Sequence, residues 1–211
     1  PGPGNLAVRT QALLEEWAER EKLPQKLIEN ENRTIGLGDG VLVLTWDADV
    51  KRARLVSYDP GFYFPDWQAC TSAEYVQAGW KDLDYPPVVH LAWEWQDADS
   101  NVWIRRTTWR MQRLKQPRPV PYSEEPARWT CMYEQADYDP ARLDGRDVYA
   151  FPKGARRTQV VAATDLRVDF IPVIAVPNDY PGSELWGRSI LIGVAQILDD
   201  IASGDTDLAI N

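Results

Sequence analysis

Near the start of the chain, hydrophobic and polar positions recur with the period of a helix. Over residues 6–21, apolar side chains recur on one side and charged side chains occupy the other, which is typical of an amphipathic helix. The apolar side comprises Leu6, Leu13, Leu14, Trp17 and Ala18, and the charged side comprises Arg9, Glu15, Glu16 and Glu19. Pro24 suits the first turn of a second short helix through Ile28, because a proline there lacks only an amide hydrogen that would stay unpaired anyway.

From Gly40 the pattern changes to that of strands. Residues 41–46 and 53–58 are joined by an Asp-containing turn, and residues 88–95 and 102–110 repeat the arrangement, so both pairs predict antiparallel hairpins. Both faces of 102–110 are mixed, which predicts a strand that is only half covered. A further strand is expected at 129–134 and a loop at 137–146. Helices followed by hairpins indicate an α+β fold.

The segment from Phe170 to Asp200 has an unusual order of elements. Residues 170–178 have the composition of a buried strand, but Pro172 and Pro177 donate no backbone hydrogen bond and confine it to an edge or end of a sheet. A turn follows at 178–182. Beyond it, helical spacing resumes at Ile190, Val194, Ile197 and Ile201. Ser189 is the expected N-cap of that helix.

This segment resembles the portal proteins of tailed bacteriophages, in which an Ile-Pro-Val strand, an Asn- and Gly-containing loop and an aromatic-Gly-Xaa-Ser tetrapeptide lead into a long helix. The matching residues are Ile171, Pro172, Val173, Asn178, Trp186, Gly187, Arg188 and Ser189. Upstream, residues 38–46 and 56–64 resemble the paired strands of the portal wing. The resemblance implies a wing-like α+β domain over residues 1–186, with a proline-rich connector or arm at 117–126, and the start of a stem helix over 187–211.

The same resemblance implies a structural virion protein, not an enzyme, without cofactor or metal. Portal subunits form a homo-oligomeric ring, generally a dodecamer, at one capsid vertex. Double-stranded DNA passes through the ring without sequence-specific binding, and the partners are the terminase, the major capsid protein and head-completion proteins. The protein would be found in the virion, and in the host cytoplasm during assembly, with no membrane involved.

Further implications concern the end of the chain and its length. Four acidic residues near the end would present negative charge to the channel or to neighbouring subunits, or would form a solvated helix face; they are Asp199, Asp200, Asp205 and Asp207. Because portal subunits are longer than this chain, we expect a piece of a longer protein. That piece would be monomeric or weakly associated alone.

Composition narrows the choice of function. The formal net charge of −9 disfavours a protein that binds nucleic acid by neutralising phosphates over its whole surface. A like-charged wall would also let DNA slide. Cys70 and Cys131 lie far apart in sequence and outside any redox or zinc motif, and whether they pair stays open. No apolar run is long enough for a membrane helix.

The residues that could take part in catalysis or metal binding fit structural roles better. His90, the single histidine, lies in an apolar strand without a nucleophile motif and is expected to be a packed residue. Five Asp-x-Asp pairs, including Asp47/Asp49 and Asp97/Asp99, fit turns better than metal sites. Two other functions stay open. One is a carbohydrate-binding β-domain using Trp93, Trp95, Trp103 and Trp109, and the other is a metal-dependent transferase using one Asp-x-Asp pair.

Overall fold

The structure, a computed structural model, describes residues 3–71, 73–77, 85–114, 129–139, 157–179, 186–191 and 194. The fold is α+β, as predicted. Within these residues, helices α1 (Pro3–Arg20), α2 (Leu23–Leu37) and the short α3 (Ala73–Gln77) accompany eight strands in two antiparallel sheets. The strands are β1 (Asp39–Asp47), β2 (Arg52–Tyr58), β3 (Tyr63–Pro65), β4 (Val88–Gln96), β5 (Val102–Arg113), β6 (Trp129–Tyr138), β7 (Arg157–Asp165) and β8 (Val173–Pro177).

The chain divides into two compact units. Unit 1 contains the described residues of 1–60 and 173–211, and unit 2 contains those of 61–172. Unit 1 holds α1, α2 and the three-stranded sheet in the order β2-β1-β8, whereas unit 2 holds the five-stranded sheet β3-β4-β5-β6-β7. The predicted boundary between residues 186 and 187 stays a prediction, because residues 195–211 lie outside the described part of the chain. The predicted connector at 117–126 also lies outside it.

Both N-terminal helices form where the pattern predicts them. A left-handed residue, Lys22 with φ 52°, separates them. Pro24 stands in the first turn of α2, where its missing amide hydrogen leaves no bond unmade. The second helix continues well beyond the predicted Ile28, to Leu37, and Gly38 caps it by donating its N–H to Thr34 O at 2.8 Å.

The sheet of unit 1 is built on the predicted hairpin of β1 and β2. Val43 of β1 faces Val56 on one side and Val173 of β8 on the other, and Val41 and Val43 have no exposed surface. The sequence prediction for β8 was correct about its edge position and its terminal Pro177, but wrong about burial. The strand begins only at Val173, and Ile174 is 53% exposed, because an edge strand is covered on fewer sides than a central one.

The outer edge of β2 is occupied by helix side chains rather than by another strand. Trp17 donates Nε1–H to Ala53 O at 2.8 Å, and Lys26 donates from Nζ to Leu55 O at 2.6 Å. Glu21 Oε2 accepts from the Leu55 amide at 3.2 Å. An unpaired strand edge is a template for unwanted pairing, and these three side chains block it while fixing the helices to the sheet.

The five-stranded sheet of unit 2 contains the second predicted hairpin, β4 and β5. β6 is longer than predicted and runs through Tyr138, so the loop expected from Asp137 was wrong at its first two residues. Asp137 instead accepts two hydrogen bonds from Arg105, at 2.8 and 3.0 Å, across the β5–β6 pair. β7 was not predicted; it pairs with β6 with irregular register.

The prediction of a half-covered β5 was wrong at its centre. Four consecutive residues, Arg106–Trp109, are all at least 96% buried, and consecutive strand residues point to opposite faces. Both faces of the sheet are therefore covered there. Leu91, Met111 and Cys131 have no exposed surface and form the middle of this core.

Candidate functional site

Four residues of the resemblance come together at one corner of unit 1, between the end of α2 and the start of β1: Asn178, Gly187, Arg188 and Ser189. We call this the α2–β1 corner: residues 35–39, Asn178 and residues 186–190. Gly38 has φ +96°, a left-handed conformation that glycine adopts without steric cost. Gly38 thereby makes the tight turn from α2 into β1. At Gly40 an added Cβ would lie 2.1 Å from Thr34 Oγ1, so α2 packs directly on the strand.

A ladder of hydrogen bonds attaches the Trp-Gly-Arg-Ser segment to this corner. Asn178 N–H donates to Gly38 O at 2.8 Å, and Gly187 N–H donates to Asp39 Oδ1 at 2.8 Å. Arg188 N–H donates to Asn178 O at 2.7 Å, while Asn178 Nδ2 donates to Arg188 O at 2.6 Å. Asn178 is thus bound on both sides, to the start of β1 and to the tetrapeptide.

Gly187 is the sterically critical residue of the corner. A Cβ at this position would lie 2.0 Å from Gly38 O and 2.4 Å from the backbone nitrogen of Asn178. Both clashing atoms are backbone atoms that already take part in hydrogen bonds, so a rotamer change cannot relieve the overlap. The corner can close only with glycine here.

Ser189 joins the corner to the segment that follows. Its Oγ donates to Gly36 O and accepts from the Leu191 amide at 3.0 Å, the bond that an N-cap side chain makes at the start of a helix. Ile190 N–H donates to Ile35 O at 3.2 Å. Leu191 and Val194 have helical conformation. The chain therefore leaves the corner as the beginning of a helix.

Asp39 is the acidic residue of the corner. Burial raises the pKa of its carboxyl, and the hydrogen bond from Gly187 N–H lowers it in part. The carboxylate thus takes its main stabilising contact from the tetrapeptide. If the tetrapeptide undocked, Asp39 would lose this donor.

The remaining predicted site residues lie elsewhere or outside the description. Ile171 and Pro172 are buried and end unit 2, whereas Val173 begins β8 in unit 1. Trp186 is 43% exposed. The four acidic residues after the tetrapeptide fall outside the described residues, so their roles stay predictions; they are Asp199, Asp200, Asp205 and Asp207.

The sequence reasoning missed Asp39 and Glu21. Asp39 lies inside the Gly-rich run 36–40, and nothing in the sequence indicates that the tetrapeptide binds there. Glu21 had a signal, since it lies four residues after Trp17 on the apolar side of the helix, where a charged residue needs a partner. Its carboxylate has 1% of its surface exposed and lies 2.7 Å from Lys26 Nζ.

The groups considered for chemistry serve structural purposes. Asp47 Oδ1 accepts from the Asp49 and Val50 amides, and Asp97 Oδ1 accepts from the Asp99 and Asn101 amides, as turn residues do. Within the described ranges, no three His, Cys, Asp or Glu residues are grouped so as to hold a metal ion.

His90 is packed as expected. It is 2% exposed, and its Nδ1 forms a 2.9 Å hydrogen bond with Thr108 Oγ1. Burial, with the positive charges of Arg106 and Arg110, lowers its pKa to about 3. Cys131 is a buried free thiol, so it does not pair with Cys70, and burial raises its pKa to about 12. Neither group has the exposure or the pKa of a catalytic residue at neutral pH.

Several tryptophan side chains of β4 and β5 already contact another aromatic ring or a charged side chain. Trp95 and Trp103 face each other across the pair, Arg105 lies 4.6 Å over the Trp95 ring, and Trp103 Nε1 donates to Asp97 Oδ2 at 2.9 Å. Trp109 is 4% exposed and packs against Tyr133. A sugar-stacking platform requires open ring faces, and those of Trp95 and Trp109 are covered on at least one side.

Comparison of the chain with protein-family models, with curated proteins and with solved structures found no match. In the described part of the chain, no helix has the length and apolar character needed to cross a membrane.

Proposed function

We propose that this chain is the wing region and the start of the stem of a bacteriophage portal subunit. The observation that carries the proposal is the α2–β1 corner. Residues 186–189 match the tetrapeptide that precedes the stem helix in portals. The same residues are bound to the end of α2 and to Asn178, with Ser189 capping the helical segment that follows.

The corner has a mechanical role in this proposal. It joins three parts of the chain that are distant in sequence: α2, the strand β8 that ends at Pro177, and the outgoing helix. Six hydrogen bonds across it would hold the stem at a fixed angle to the three-stranded sheet. A rigid joint is what a ring needs, because each subunit must present the same geometry to its neighbour.

Charge supports the same function. The net charge of −9 gives a surface that repels phosphates, which suits a ring through which DNA must slide without adhering. In this proposal the terminase, the major capsid protein and head-completion proteins are the partners, and the protein acts in the virion. No residue acts as a catalyst.

The decisive experiment is electron microscopy of the complete protein, with immunogold labelling of virions using an antibody raised against this chain. Closed rings with a central channel, generally of twelve subunits, together with label at a single capsid vertex, are the expected result. Label over the whole capsid, or a monodisperse monomer with no ring, would overturn the proposal. Glycan-array binding that is lost on Trp103→Ala would instead favour the carbohydrate-binding alternative.

A further inference from the structure

One edge of the five-stranded sheet in unit 2 is paired over only part of its length. β3 is three residues long and pairs with residues 89–91 of β4, whereas β4 continues to Gln96. Among the described residues, no strand lies beside the rest of β4 on the β3 side. We call residues 92–96 of β4 the open edge.

The direction of the main-chain groups along β4 follows from two hydrogen bonds near its start. Pro87 O accepts from the Met111 amide of β5 at 2.9 Å, whereas Val88 O accepts from the Asp66 amide on the β3 side at 2.9 Å. In an antiparallel strand, successive residues direct their N–H and C=O groups to opposite neighbours. The odd-numbered residues of β4 therefore bond to β5, and the even-numbered residues face the β3 side.

Glu94 and Gln96 consequently present two N–H and two C=O groups at the open edge. Both residues are exposed, and no main-chain hydrogen bond within the described ranges uses these four groups. A strand edge in this state is a template for another extended chain, and addition of a strand to such an edge is a common mode of peptide recognition. The open edge is therefore a binding site for an extended segment, provided that the side chains around it fit.

Aromatic side chains line one face of the open edge. Trp93 and Trp95 lie on the same face of β4, because they are two residues apart, and both are half-buried. The Phe62 ring lies 6.3 Å from the Trp93 ring, centroid to centroid, and Phe62 is 36% exposed. An added strand would place every second side chain beside these rings. Large apolar and β-branched side chains pair well with aromatic ones across strands.

Glu94 supplies a negative charge on the other face. It is exposed and makes no ion pair with the described residues. The nearest cations of β5 have other contacts. Arg105 donates to Asp137 at 2.8 Å, and the guanidinium of the buried Arg106 lies 5.5 Å from the Tyr138 ring centroid. A segment that pairs with the open edge would therefore meet an uncompensated carboxylate, which favours a cation opposite it.

We propose that the open edge binds an extended segment of another protein in which a lysine or arginine stands between two large apolar residues. The basic residue lies opposite Glu94, and its apolar neighbours lie on the face of Trp93 and Trp95. A second copy of this chain is a poor occupant, because two chains that each carry a net charge of −9 repel one another. The inference uses unit 2 alone and does not depend on the portal function.

Amide hydrogen exchange of the complete chain tests the open edge first. The amides of Glu94 and Gln96 should exchange rapidly in the free chain, whereas those of Trp93 and Trp95, which bond to β5, should exchange slowly. Slow exchange of all four amides in the dilute free chain would mean that another segment of the same chain covers the edge. Protection of Glu94 and Gln96 that grows with protein concentration would mean that a second copy covers it. Either result would overturn the proposal.

A labelled synthetic peptide, Ser-Ile-Lys-Ile-Thr-Ile-Ser, tests the occupant by fluorescence anisotropy. The peptide should bind saturably and should slow the exchange of the Glu94 and Gln96 amides. The same peptide with an N-methylated lysine amide should lose this binding, since that amide can no longer donate to Glu94 O. Equal binding of the two peptides would contradict strand addition. Absence of binding would leave Glu94 as a charge that guards the edge against pairing, and would also overturn the proposal.

A charge exchange tests the role of Glu94. Glu94→Lys should weaken binding of the lysine peptide about fivefold or more, because an attraction becomes a repulsion, and a peptide with glutamate in place of lysine should recover it. Asp99→Lys is the matched control, with the same change of charge at an exposed position in the turn beyond the edge. At physiological salt it should change the affinity by less than about twofold. Equal losses in the two variants would mean general attraction to an acidic protein and would overturn the proposal.

Discussion

Unit 2 buries eleven of the hydrophobic residues in the described core and unit 1 buries four, although the two units have similar numbers of described residues. The large apolar residues that are exposed show the reverse distribution, with fifteen in unit 1 and five in unit 2. Extended exposed apolar surface in a folded protein usually marks an interaction site. Unit 2 thus has the larger buried apolar core, and unit 1 has more of the exposed apolar surface that is typical of interaction sites.

The two units also differ in what holds them together. In unit 2 the central residues of a five-stranded sheet are covered on both faces, and a larger apolar core is combined with buried polar residues such as His90, Arg106 and Asp137. Unit 1 relies on two specific polar connections, the Glu21 carboxylate between the helices and β2, and the hydrogen-bond ladder of the α2–β1 corner. Such connections fix the positions of the helices and of residues 187–190 relative to the three-stranded sheet.

The largest expected effect comes from making the same leucine-to-alanine substitution in each unit and comparing the losses of stability. Leu91→Ala in unit 2 removes a side chain with no exposed surface and should lower the free energy of unfolding by about 2–5 kcal/mol. Leu14→Ala in α1, at 60% exposure, should change it by less than about 0.5 kcal/mol, since alanine is also a good helix former. Urea titration of both variants measures the difference. Equal losses would mean that α1 is covered in the isolated chain.

The next effect tests the corner of unit 1. Gly187→Ala forces a Cβ against two backbone atoms and should cost about 3 kcal/mol or more at the corner. Amide hydrogen exchange of residues 187–190 should accelerate strongly, while exchange in β4 and β5 of unit 2 stays slow. Gly36→Ala is the control, because nothing lies within 4 Å of its added Cβ. Unchanged protection at residues 187–190 in Gly187→Ala would contradict the docked arrangement.

The sequence predicted the local elements well because each depends on nearby residues. Helical spacing in 6–21, the proline in α2 and the Asp-rich turns of two hairpins are short-range signals, and all four elements form. The edge position of β8 followed from Pro172 and Pro177 for the same reason. β7 carried a weaker signal, since its Gln159, Ala162 and Ala163 do not alternate clearly.

Long-range features could not be predicted. The contact of Gly187 with Asp39 joins residues separated by 148 positions, and no periodicity records it. The same holds for the division into two units, in which residues 173–179 return to the first sheet after the whole of unit 2. The tetrapeptide was recognised as important by resemblance alone, and its partner Asp39 was found only in three dimensions.

The third prediction concerns the Glu21 carboxylate of unit 1. The hydrogen bond from Lys26 lowers its pKa, against the opposing effect of burial, with further help from the Leu55 amide and Arg52. Its stabilisation is therefore complete above the ordinary carboxyl pKa and is lost as pH falls through the lower, folded value. Glu21→Gln should cost about 1–3 kcal/mol at pH 7.

A matched substitution distinguishes this buried carboxylate from an exposed one. Glu16 pairs with Arg20 on the surface, with both side chains at least half exposed, and Glu16→Gln should cost less than about 0.5 kcal/mol. Hydrogen exchange of the α2 and β2 amides reports the loss in unit 1. If both substitutions had the same small effect, the packing of α1 and α2 on β2 would not depend on the Glu21 contacts.

The smallest effect is the loss of stability in acid. As the pH is lowered, this loss should begin at a higher pH in unit 2 than in unit 1. His90 has a pKa of about 3 in the fold, whereas an unfolded histidine titrates near its ordinary value of 6.5. The unfolded chain therefore binds more protons between these values, so stability is complete above 6.5 and falls as the pH is lowered. Between pH 6.5 and 5 the loss should be about 1–2 kcal/mol.

In His90→Gln, the free energy of unfolding should be nearly constant over this pH range. Urea titrations at several pH values measure it, and hydrogen exchange of the β4 and β5 amides assigns the loss to unit 2. A wild-type stability that is constant from pH 7 to 5 would mean that protonated His90 is accommodated, and that the core of unit 2 is less closed than its burial indicates.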